Sequence, residues 1–121
     1  RIKLIELLDL NEEISVRFFA RKNEHQKKMK EFLDQRFEIL NQLEKTIRGS
    51  EGNDKYYQDQ IDLLLSLEEK VSKERETFFR SLSDLLNKEQ IAKLMIFDNK
   101  LKREIRNALK DRDEERDKDK N

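Results

Sequence analysis

His25 is the only histidine in 121 residues, and there is no cysteine, so few side chains can bind a transition metal or move a proton at neutral pH. A zinc pair on a helix needs a second ligand one turn from the first. Those positions hold Arg21 and Met29. His25 therefore reads as a seam or surface residue, and a metal site shared across a dimer is the one exception. No glycine-rich phosphate loop is present, which leaves carboxylates as the remaining candidate catalytic groups. Long solvated helices give carboxylates no enclosed pocket in which to act. No enzyme, cofactor or metal is expected.

The other residues with chemistry to offer are aromatic. Phe18-Phe19 and Phe78-Phe79 are two doublets that hold four of the seven phenylalanines. Neighbours on a helix diverge by about 100°, so one member of each doublet can pack inward while the other stays reachable. Reachable aromatics beside lysines and arginines can hold unfolded polypeptide loosely. The plainer reading places all four in a core.

Elements must position these groups, and two short segments mark where the elements meet. Leu10-Asn11-Glu12-Glu13-Ile14 and Leu86-Asn87-Lys88-Glu89-Gln90 each set a leucine and an asparagine before a long amphipathic stretch. Asparagine caps helix N-termini because its side-chain oxygen accepts a hydrogen bond from a first-turn N–H. Gln90, three residues after Asn87, can reach back to complete a capping box. Each segment reads as a tight joint between two helices.

Charged residues make up 45% of the chain, hydrophobic ones only 35%, and there is no proline. That mixture suits long helices with narrow apolar stripes better than a globule with a thick core. The pattern predicts a short first helix and then an unbroken one from Glu12 to Arg48. Gly49 is expected to take the left-handed conformation that ends it, and Asn53 or Asp54 to cap the next helix, over about 54–85. A last helix runs from Lys88 to around Asp111. Residues 113–121, almost wholly charged, are expected to be disordered, leaving residues 1–112 as a single all-α domain.

A four-and-three spacing runs through Phe18, Lys22, His25, Met29, Phe32, Arg36, Ile39 and Leu43. A matching one runs through Tyr57, Ile61, Leu64, Glu68, Val71, Arg75, Phe78, Leu82 and Leu85. The short connection makes these helices an antiparallel hairpin, with positions summing to roughly 101 opposite one another. Leu33, Phe37, Leu63, Leu65 and Leu67 then point away from the seam, which predicts a homodimer that buries them.

Residues 49–87 carry nine acidic and five basic groups between two mildly basic flanks, as suits arms that attract each other. The small cluster Lys27, Lys28 and Lys30 is flanked by Glu24 and Glu31, so no concentrated basic face for nucleic acid is expected. No run approaches the roughly 20 apolar residues of a membrane span. Starting at arginine rather than methionine, the chain reads as trimmed at its N-terminus.

The paired joints resemble the L-T-x-x-Q motifs of the Spy/CpxP family of periplasmic stress proteins, in which one motif lies near the N-terminus and the other opens the last helix. Leu10 and Leu86 match the motif leucines, Asn11 and Asn87 stand at the threonine, and Gln90 matches the glutamine. Ile14 departs from the first copy. The resemblance implies a cradle-like dimer in the periplasm that holds unfolded or misfolded proteins without ATP, or that restrains a sensor kinase. Phe18, Phe19, Lys22, Met29, Phe32, Arg36, Phe78 and Phe79 are then the client-binding candidates. The alternative is a structural or adaptor bundle, or a metal-responsive sensor, without chaperone activity.

Overall fold

Asparagine interrupts the helical path twice, and the computed structural model, which describes residues 2–119, breaks at both places. Its helices are α1 (Ile2–Leu8), α2 (Glu12–Arg48), α3 (Asp54–Ser81) and α4 (Lys88–Asp119), with a 3₁₀ turn at Leu82–Asp84. No strand occurs among the described residues. Helices α2 and α4 begin immediately after Asn11 and Asn87. The chain separates into two compact units. One is Glu13–Leu85; the other joins the segment through Glu12 to the segment from Leu86 onward.

The middle unit is the α2–α3 hairpin. At its open end Phe18, Phe19, Phe78, Phe79 and Leu82 are all buried. The rings of each doublet meet edge to face, at centroid separations of 5.1 and 5.3 Å, the arrangement that ring quadrupoles favour. At the loop end a threonine, not a leucine, is the buried residue. The Thr46 hydroxyl donates to the Gln42 carbonyl at 2.8 Å and lies 3.3 Å from the Tyr56 hydroxyl. Its polar atom is thereby satisfied inside the seam.

The turn between these helices corrects one expectation. Ser50, not Gly49, takes the left-handed conformation (φ 52°). Glu51 N–H donates to Thr46 C=O and Ser50 N–H to Ile47 C=O, the paired bonds of a Schellman ending. Gly49 N–H still bonds Lys45 C=O, so the helical bonding pattern runs one residue past the expected stop. The second glycine has a steric reason: a Cβ at Gly52 would lie 2.3 Å from the Tyr57 ring. Asn53 then caps α3, accepting from Tyr56 N–H at 2.9 Å.

The α3 seam is also rotated from the one expected. Leu67 is buried, while Ile61 and Glu68 are exposed. Gln60 and Glu74 are half-buried, so the inward stripe runs through Gln60, Leu64, Leu67, Val71, Glu74 and Phe78. The run Leu63-Leu64-Leu65 fits more than one phase of a four-and-three repeat. The phase adopted places Glu74 beside His25.

In the other unit Leu4 and Leu8 of α1, Leu86 of the joint and Leu94 of α4 are buried. Helix α1 ends as α2 does. Asp9 is left-handed (φ 52°), and Leu10 N–H bonds Ile5 C=O. Helix α4 continues through the stretch expected to be disordered, as far as Asp119. It contains no proline or glycine, and pairs such as Arg116–Asp113 at 2.8 Å support it. Residues 120 and 121 of that expected tail lie outside the described residues.

Candidate functional site

Gln90 is the most heavily used polar side chain of the motif residues. Its N–H donates to Asn87 Oδ1 at 2.8 Å, and its Oε1 accepts from Asn87 N–H at 2.8 Å, the reciprocal capping box. Its Nε2 also donates to the Leu8 carbonyl at 2.7 Å. That carbonyl lies in the last turn of α1, where no intrahelical N–H is available to it. One glutamine thus caps α4 and ties α1 to it. Sequence reasoning found the cap but not this third bond, because the partner stands 82 positions away. The motif joins two helices.

The hairpin offers two faces. On one, an open groove of about 450 Å³ is lined by Arg21, Glu24, His25, Lys28, Glu74 and Phe78, among others. The His25 imidazole stacks flat on Phe78, with centroids 4.2 Å apart and planes 7° apart, and its Nδ1 lies 3.2 Å from Glu74 Oε1. A carboxylate on one ring nitrogen and an aromatic beneath the ring fix its orientation, as the seam reading expects. Above it Arg21 forks onto Asp84 at 2.6 and 2.8 Å and also donates to Ser81 C=O at 2.6 Å. This hydrogen-bonded guanidinium holds the Asp84 carboxyl below the usual carboxylate range. Among the described residues no three His, Asp or Glu side chains are grouped to hold a metal.

The opposite face is apolar. Leu33, Phe37, Leu40 and Ile47 of α2 are exposed, as are Ile61 and Leu65 of α3. Helical spacing puts Leu33, Leu40, Ile47 and Ile61 about a quarter turn from the seam on the same side of the hairpin, with Phe37 and Leu65 further round toward the back. The antiparallel register sets Leu40 opposite Ile61. A shallow groove of about 220 Å³ crosses this face, lined by Phe32, Leu33, Arg36, Leu67, Glu68 and Val71.

The eight client-binding candidates divide between core and surface. Phe18, Phe19, Phe78 and Phe79 are each at most 7% exposed, so both members of each doublet belong to the core and neither is reachable. The idea that one ring of each pair stays outside is corrected. Adjacent positions can both be buried where a helix end is covered on more than one side. Lys22, Met29 and Phe32 are half-buried along α2, and Arg36 is exposed. Only Phe32 and Arg36 reach the apolar face; Leu33, Phe37 and Leu65, expected to face away from the seam, share it with Leu40, Ile47 and Ile61, the last of which was expected inside the seam.

On the other unit, Leu101, Ile105 and Leu109 of α4 are also exposed, in line with buried Leu94. No helix among the described residues is long and apolar enough to cross a membrane. Set against family models, curated proteins and solved structures, the chain matches none of them.

Proposed function

We propose that this chain is an ATP-independent holding chaperone of the periplasm, which keeps unfolded polypeptide from aggregating by binding it on the apolar face of the α2–α3 hairpin. The observation that carries the reading is the exposure of Leu33, Phe37, Leu40, Ile61 and Leu65 beside charged Arg36 and Glu68. Long-range attraction between charges speeds encounter with a client, and apolar contact then retains it. Separate side chains on a long rigid helix pair suit clients without a fixed shape better than one deep pocket does. The compartment follows from the likeness of the Leu-Asn joints to the L-T-x-x-Q motif.

The test is light scattering from a reduced, unfolding client protein with no nucleotide added. Suppression is expected at one to a few equivalents of the chain. It should weaken severalfold in a Leu33→Ser/Phe37→Ser double variant and stay unchanged in Leu63→Ser, which alters an exposed leucine off this face. Absence of suppression at stoichiometric amounts overturns the proposal and favours an adaptor bundle.

A further inference from the structure

Helix α4 is nearly balanced in charge as a whole, but its charges are sorted along it. Residues 93–110 hold six basic and two acidic side chains, whereas residues 111–118 hold three basic and five acidic. The basic stretch is also largely uncovered. Helix α1 packs beside the beginning of α4, and every residue from Asn99 to Lys118 is exposed. Leu101, Ile105 and Leu109 stand there about half exposed. We infer that this segment of α4 lies on the surface of an anionic phospholipid bilayer, with its axis in the plane of the interface and its apolar side chains sunk below the headgroups.

The angular placement of the residues carries the inference. At about 100° per residue, Leu101, Ile105, Ala108 and Leu109 share an arc of about 100° on α4. Lys102 and Arg106 border one edge of that arc, and Lys100 stands beyond the other with Glu104 between. Long cationic side chains at such edges reach out to phosphate groups while their stems stay on apolar ground, as in helices that lie at a membrane interface. Of the six cations only Lys93 has an ion-pair partner among the described residues, Glu89 at 3.5 Å. A groove of about 320 Å³ beside α1 extends the apolar surface. It is lined by Lys3, Leu7, Phe97, Lys100, Leu101 and Glu104, so α1 contributes an exposed leucine and a further lysine.

Charge sign and apolar content together select the occupant. Any polyanion is attracted to six cations set against two acids. Nucleic acid, however, offers no apolar layer to take up Leu101, Ile105 and Leu109, whereas an anionic bilayer offers both. The acidic stretch that follows is repelled by the same surface, which confines the contact to the segment before Asp111. The helix lies on the bilayer and does not cross it.

Flotation of the full chain with vesicles, in the absence of any client, tests this separately from chaperone activity. The lipid is set at about 1 mM, roughly ten times the dissociation constant of a marginal single-chain anchor. The chain is expected to float with vesicles of equal parts phosphatidylglycerol and phosphatidylcholine, and to stay behind with phosphatidylcholine alone. Lys102→Gln/Arg106→Gln should weaken binding about tenfold or more. Leu101→Ala/Ile105→Ala should do the same, with helicity by circular dichroism unchanged because all four positions are exposed. Two controls locate the contact. Lys27→Gln/Lys28→Gln removes the same charge from the hairpin, and Leu33→Ser/Phe37→Ser alters the hairpin's apolar face; both should float like the wild type. No flotation with the anionic vesicles overturns the inference and leaves this face to an acidic protein partner. Equal flotation with both kinds of vesicle overturns it too, as does loss of binding in either control.

Discussion

Two substitutions at Gln90 separate the roles of its amide. Gln90→Ala removes the capping partner and the bond to Leu8, and should cost about 2 kcal/mol in denaturant unfolding, a cap and a hydrogen bond together. Gln90→Glu keeps an oxygen for Asn87 N–H but sets a carboxylate against the Leu8 carbonyl, so its cost isolates the tie between α1 and α4. Equal stability of Gln90→Glu and wild type would show that the tie contributes nothing. Asp84 gives a pH signature. Its carboxyl lies below its ordinary value through the Arg21 hydrogen bond, so the pair stabilises the fold at neutral pH. That contribution is full above the unfolded value of about 3.9 and is lost as pH falls through the lower folded one. Asp84→Asn should therefore be less stable than wild type at pH 7, with the difference closing in acid; a constant difference across that range would assign the effect to packing. Ser50 stands in the conformation that glycine takes without strain, so Ser50→Gly should raise stability by roughly 0.5–1 kcal/mol, read as a higher melting temperature.

Helix starts were legible because each has a local chemical cause. Asn11, Asn53 and Asn87 stand immediately before α2, α3 and α4, and two glycines lie in the one long-hairpin turn. The rotation of α3 was not legible. Three consecutive leucines satisfy several inward phases, and the choice among them depends on cross-helix partners such as His25 with Glu74 and Thr46 with Tyr56. The candidate site was half legible for the same reason. Leu33, Phe37 and Leu65, set aside as facing off the seam, lie on the apolar face, but so does Ile61, which was expected inside it, while Leu67 and the aromatic doublets that drew attention lie in the core. Two positions on α3 give a direct contrast. Leu67→Ala removes a buried side chain from the middle of the hairpin and should cost about 2–4 kcal/mol, whereas Ile61→Ala should cost under about 1 kcal/mol in the isolated chain. Similar losses at both positions would return α3 to the phase first expected.

At the scale of the whole molecule, the proposed holding of clients rests on the apolar side chains of one hairpin face, so a Leu33→Ser/Phe37→Ser variant should lose suppression of client aggregation while its helicity by circular dichroism stays that of the wild type. The bond from Gln90 to the Leu8 carbonyl also has a bearing on biosynthesis. A ribosome adding about 5–20 residues per second makes α1 first, yet its anchoring glutamine follows several seconds later. During that interval the newborn segment has nothing to dock on, and every nascent chain stalled short of residue 90 displays Leu4 and Leu8 to whatever is nearby. Only when Gln90 has been made can the Leu8 carbonyl find this donor.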